Sequence, residues 1–182
     1  MKKIEFSGHY YNGHFELSKE VKYEEIKGYF ETILEENKIN ISKLKEELQT
    51  KIGEERLIFP GGMTFYNSDK TGITGCCFDL NDIKEACTNI RNSKHTWLGH
   101  DPDMIINYTD DAVVFFESAG FNHNIEPEDN KKLEYTKEEI NDLINTANSN
   151  FKEFIDIFYN YLKNNYSDIA DILIEDLKKH LL

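Results

Sequence analysis

Two adjacent thiols, Cys76 and Cys77, precede the stretch Trp97-Leu98-Gly99-His100-Asp101-Pro102, and these two segments hold the residue types from which a chemical site is most readily built. A nucleophilic cysteine needs a thiol pKa lowered by a nearby imidazole or cation. His95 and His100 are the nearest histidines along the chain, so Cys76 or Cys77 with His100 and Asp101 would make a small thiol enzyme. With His95 added, the same side chains are acceptable zinc ligands. The chain has no Cys-x-x-Cys, His-x-x-x-His or His-Glu-x-x-His spacing, so neither a resident metal nor a cofactor is expected. Residues 73–78 read as a strand, in which successive side chains point to opposite faces, so only one of the two thiols would serve a given site. Cysteine is also among the most buried residue types, and both are expected in the core. His9 and His14 flank a turn closely enough to face each other, but exposed hairpin histidines need no ligand to explain them.

Other catalytic templates are missing. The chain contains no Gly-x-Ser-x-Gly, no phosphate loop and no dinucleotide fingerprint, and Gly61-Gly62 is too short a glycine cluster to cradle phosphate. No catalytic residue is assigned on this basis.

A second signal is one-sided charge. Between Lys94 and Lys131 there is no Lys or Arg, yet Asp101, Asp103, Asp110, Asp111, Glu117, Glu126, Glu128 and Asp129 put eight carboxylates there. The formal charge of the whole chain is −13, of which residues 1–60 carry only −2 (10 basic against 12 acidic) and residues 61–182 carry −11 (11 against 22). Such a field repels phosphate backbones and anionic lipid, so no nucleic-acid partner and no membrane is expected. It attracts cations and basic proteins. Aromatic anchors beside the acids supply the apolar contact that charge alone does not. The candidate contact residues are therefore Trp97, His100, Asp101, Asp103, Asp110, Asp111, Glu117, Phe121, Glu126, Glu128 and Asp129.

The elements that must hold these residues follow from periodicity. Lys3 to Phe6 and His14 to Leu17 read as a hairpin around Tyr11-Asn12-Gly13. Ile26, Tyr29, Phe30, Ile33 and Leu34, then Ile41, Leu44, Leu48 and Ile52, recur at helical spacing on either side of a break at Asn37 to Asn40. Residues 63–66 and 73–78 read as a second hairpin, and Ile83, Ala86, Cys87 and Ile90 as a short helix. Gly99 and Pro102 keep the Trp97 segment out of a helix. Met104 to Tyr108 and Ala112 to Glu117 flank the turn Thr109-Asp110-Asp111. Residues 119–134 are polar, hold Gly120 and Pro127, and read as a loop. The capping box Thr136-x-x-Glu139 opens a long helix with an apolar stripe from Ile140 to Leu162, followed by a second helix from about Ser167.

The resulting expectation is one α+β domain over residues 1–182: an α+β body (1–118) with an antiparallel sheet of hairpins packed on helices, a loop (119–134), and a C-terminal helical hairpin (135–182). Aromatics at 13% and hydrophobics at 39% supply enough apolar surface for a core. Met1 to Phe6 lacks the apolar run of a secretion signal, and no segment approaches about 18 apolar residues, so a cytoplasmic protein is expected.

Gly75-Cys76-Cys77, the short helix, Trp97-Leu98-Gly99-His100-Asp101-Pro102 and the strand pair after it resemble a group of small uncharacterised bacterial proteins. The likeness covers roughly residues 75 to 116; it implies a shared fold and supplies no catalytic residue. In size and acidity the chain is also loosely similar to bacterial immunity proteins that mask a toxin. That similarity implies a non-enzymatic module for a basic protein partner, with the Cys/His/Asp enzyme as the alternative.

Overall fold

Side chains alternate along Lys2–Tyr10 (β1): Ile4 and Phe6 are buried, while Lys3 and Glu5 on the other face pair with each other and Lys3 reaches Glu16 at 2.8 Å. The fold is a computed structural model, described for residues 1–54, 56–117 and 132–180. β1 turns back through Tyr11-Asn12 into Gly13–Glu16 (β2), with Tyr10 opposite Gly13. It runs four residues past the expected end at Phe6 because Ser7 to Tyr10 pair with β2 all the way to the turn. Gly61–Asn67 (β3) lies antiparallel to it from Lys2↔Asn67 to Gly8↔Gly61, and Lys70–Ile73 (β4) completes a sheet of order β2-β1-β3-β4.

Tyr23–Glu36 (α1) buries all five residues of its expected stripe. Its end is tied down by Asn37: the side-chain amide donates to the carbonyls of Ile33 and Ile58, both at 2.8 Å, and its oxygen accepts from the Ile58 amide at 2.8 Å. A 3-10 turn at Ile41–Lys43 leads into Leu44–Glu54 (α2). Leu80–Arg91 (α3) begins at a reciprocal cap in which Asp79 accepts from the Asn81 amide at 2.7 Å and Asp82 accepts from the Asp79 amide at 3.1 Å.

Met104–Tyr108 (β5), Ala112–Glu117 (β6) and Leu133–Thr136 (β7) form a second antiparallel sheet of order β5-β6-β7. β7 corrects the expected loop over 119–134: Leu133 and Glu134 are strand residues, pairing with Phe115 and Val114. The polar composition that argued for a loop belongs mostly to residues 118–131, which lie outside the described residues. The two sheets meet through Phe65 stacked on Phe115 (4.4 Å, 29°) and through the Tyr135 hydroxyl, which donates to the Tyr66 carbonyl at 2.8 Å.

Lys137–Asn165 (α4) starts at the expected capping box, with Thr136 accepting from the Glu139 amide at 3.1 Å and Glu139 accepting from the Thr136 amide at 2.8 Å. Every residue of its expected stripe is buried, and the helix packs on β1 while its rings meet those of Tyr29 and Phe30 on α1. Phe154 sits at the centre of this wall, its ring centroid 5.8 Å from Phe15, 5.9 Å from Tyr29 and 5.6 Å from Phe158. Ala170–Lys178 (α5) packs back on α4, starting three residues later than Ser167, and buries Leu173, Ile174 and Leu177, with Ile172 partly buried against the same core. The chain is α+β, as its patterning implies. Among the described residues no helix is long and apolar enough to cross a membrane.

Candidate functional site

The last pair of the β3–β4 ladder is Thr64↔Ile73. After it, the Thr74 amide donates to the Met63 carbonyl at 2.9 Å while the Thr74 hydroxyl accepts from the Met63 amide at 3.0 Å. The chain then leaves the sheet. Gly75 donates to the Leu98 carbonyl at 2.8 Å, and the His100 amide donates to the Cys76 carbonyl at 3.1 Å, forming an isolated antiparallel bridge between Cys76 and His100. The 75–77 and 97–102 segments therefore form one corner.

Two glycines permit the crossing. A Cβ on Gly75 would lie 2.0 Å from the His100 carbonyl oxygen and 2.4 Å from that of Pro102. A Cβ on Gly99, whose φ is +93°, would lie 2.5 Å from the Gly75 oxygen. Both obstacles are backbone atoms, which cannot swing aside as a side chain does, so the close approach requires glycine on each strand of the crossing. Leu98 anchors the corner in the core at 1% exposure, and Trp97 beside it is 43% exposed. The indole meets the His100 ring edge-on (5.4 Å, 69°) and lies 6.5 Å from Phe78.

The thiols are not where the strand reading put them. Strand β4 ends at Ile73; Cys77 has φ +67°, and both Cys76 and Cys77 are exposed. The sequence did hold a signal for this: the cap Asp79-x-x-Asp82 starts α3 at Leu80, leaving too few residues after Gly75 for a strand to continue. Because of the left-handed residue, the two side chains fall on one side, with the sulfurs 3.8 Å apart. Hydrogen bonding to Cys77 pushes the Cys76 thiol pKa up, aided by its desolvation and by the negative charge of Asp101, against the lowering effect of the His100 amide. A nucleophilic cysteine needs the opposite shift. Cys87, the third cysteine, is buried within α3, and burial pushes its thiol up to about 12.

A depression of about 250 Å³ opens beside the indole, lined by His95, Thr96, Trp97, Leu98, Asp103, Met104, Ile105 and Ile106. Asp103 is half-buried in its wall; His100 and Asp101 are exposed next to it, Asp101 with φ +47°. Glu117, at the end of β6, is exposed and stands opposite Met104, so it belongs to the same end of the second sheet. Asp110 and Asp111 lie at the other end, in the β5–β6 turn that Thr109 closes by accepting from the Ala112 amide at 3.0 Å. A five-residue strand spans about 15 Å, so the described acids of this run form two separate groups. Phe121, Glu126, Glu128 and Asp129 lie outside the described residues.

His9 and His14 are direct cross-strand partners in the β1–β2 hairpin. Among the described residues, no three of His, Cys, Asp and Glu gather as a group able to hold a metal ion. Compared with protein-family models, with curated proteins and with solved structures, the chain matches none of them.

Proposed function

We propose that this chain is a non-enzymatic binding module that docks a basic protein on the Trp97 corner. An immunity-type inhibitor covering the basic surface of a toxin in the cytoplasm is the concrete form of that reading. The observation that carries it is the single tryptophan, 43% exposed at the rim of a depression that Asp103 also lines. An aromatic anchor beside a concavity supplies the desolvated contact that dominates binding energy. Asp101, Asp103 and Glu117 around it supply the complementary charge that sets register and speeds encounter with a basic surface. Asp110 and Asp111 act as a second, outlying charge group.

The test is affinity capture from the native host with the wild-type chain as bait, followed by binding kinetics of the captured partner. Trp97→Ala should weaken binding by about 2 kcal/mol or more, mainly through faster dissociation. Reversal of Asp110 and Asp111 to Lys should slow association and leave dissociation nearly unchanged, as expected of rim charges. Equal rates for wild type and Trp97→Ala would remove the corner as the contact surface.

A further inference from the structure

We propose that the outer edge of β5 takes up an extended, arginine-bearing segment of a protein partner as an added strand. This rests on the reading that a basic protein docks on the Trp97 corner, and it specifies how that protein is held. β5 stands at one end of the order β5-β6-β7 and pairs with β6 along a single edge. Thr109 donates to the Ala112 carbonyl at 2.9 Å, and alternation from that bond turns the backbone groups of Ile105 and Asn107 toward β6. Those of Met104, Ile106 and Tyr108 therefore point outward, where they meet no backbone partner among the described residues. The other end of the sheet differs: Asn67 donates to the Glu134 carbonyl on β7 at 2.8 Å.

Open sheet edges are ordinarily blunted by lysine, proline, inward charge or a bulge. Met104-Ile105-Ile106-Asn107-Tyr108 carries none of these, and its register with β6 runs unbroken from Met104↔Glu117 to Tyr108↔Val113. The depression of about 250 Å³ beside the indole opens on this same edge. Ile105 and Ile106 point to opposite faces of the sheet, so a hollow that both line lies at the strand's margin and not on one face. A row of free N–H and C=O groups is complementary to an extended chain, and a pocket beside it receives one of that chain's side chains. Arginine suits this pocket. A guanidinium stacks on an exposed indole and pairs with a carboxylate, and Trp97 and Asp103 both line the hollow. A second copy of this chain is the poorer occupant, because the pairing would join two bodies of formal charge −13.

The probe is a short blocked peptide of alternating arginine and valine, titrated into the isotopically labelled full-length chain. Trp97 emission should change, and amide hydrogen exchange at Ile106 and Tyr108 should slow by about fivefold or more, the effect of one added hydrogen bond at each. Exchange at Ile105 and Asn107, already paired to β6, should stay level. The same peptide with every backbone amide methylated keeps its charge but cannot pair as a strand, and it should not bind. Ile106→Pro removes one outward N–H without touching the ladder to β6 and should weaken binding by about fivefold or more. Ile106→Val should bind as the wild type does. If Ile106→Pro fails to fold, the methylated peptide decides the matter on the unaltered chain. Equal binding of the methylated peptide, or binding that leaves exchange at Ile106 and Tyr108 unchanged, overturns strand addition while docking on the corner, judged by Trp97→Ala with the captured partner, still stands. Absence of binding by the unmethylated peptide at millimolar concentration overturns strand addition too. Protection of the same amides that rises with chain concentration alone would assign the edge to a second copy and overturn it as well.

Discussion

The wall formed by α4 against β1 and α1 and the corner formed by residues 75–77 and 97–102 are built on opposite principles. In the wall, each residue is one of many. Phe6, Phe15, Tyr29, Phe30, Phe151, Phe154 and Phe158 touch ring to ring, and the same stabilisation is spread over apolar area. In the corner, single atoms decide the geometry: the missing Cβ of Gly75 and of Gly99, the φ of Cys77, one bridge between Cys76 and His100. The wall needs hydrophobic residues of about the right size, whereas the corner needs particular residues. The corner accepts backbone cost at Cys77 and Asp101, whose φ angles are positive, as they are at Lys38, Ser68 and Ser93 elsewhere, and it tolerates substitution less than the wall does.

The comparison is broken most forcefully from the wall side. Phe154→Ala should destabilise the protein by about 3–5 kcal/mol, read as a shift of the denaturant midpoint. Below the transition, the reactivity of Cys76 and Cys77 toward a thiol reagent should stay as in the wild type. A variant that loses global stability and also remakes the thiol environment would show the two regions to be coupled.

Gly75→Ala tests the corner next. The added methyl meets the His100 carbonyl at 2.0 Å, and backbone must move. Overpacking of this kind costs about 1–3 kcal/mol, but the sharper readout is local. Trp97 emission and the reactivity of the exposed thiols should both change even where the protein remains folded. Unchanged emission would mean that the crossing adapts without disturbing the indole, and the contrast with the wall would fail.

The smallest expected effect lies inside the wall itself. Among the described residues, the buried hydroxyl of Tyr29 finds no hydrogen-bond partner, and burial pushes its pKa well up. Leaving a buried polar group unpaired costs about 1–3 kcal/mol, so Tyr29→Phe should raise the melting midpoint or leave it level. A clear loss of stability would reveal a partner for the hydroxyl and make this position as specific as those of the corner.

Most of the wall was legible in advance. The stripe from Ile140 to Leu162, the five buried residues of α1 and the Thr136 capping box were read from spacing alone, because helical periodicity and caps are local properties that burial then reinforces. The corner was legible only in part. Its two segments stood out by composition, and Gly75 and Gly99 are visible in the chain, but their function depends on each other across more than twenty residues. The thiols were misplaced because β-branched and aromatic neighbours favour a strand locally, while the ladder to β3 runs out at Ile73 and the α3 cap takes over at Asp79.

The sequence by itself determined the α+β class, the order of the helices and of the strands other than β7, the acidity of the second part and the residues of the aromatic wall, since these rest on composition and on periods of two and 3.6 residues. Tertiary structure alone decided that β1 takes partners on both edges, that Leu133 and Glu134 are strand, and that the Asp101–Asp103 and Asp110–Asp111 acids stand at opposite ends of β5. It alone decided that Cys76 faces His100 and touches Cys77. The physical reason is that a strand's partners, and the point at which a ladder ends, depend on backbone groups distant in sequence, and no local pattern records which of them will meet.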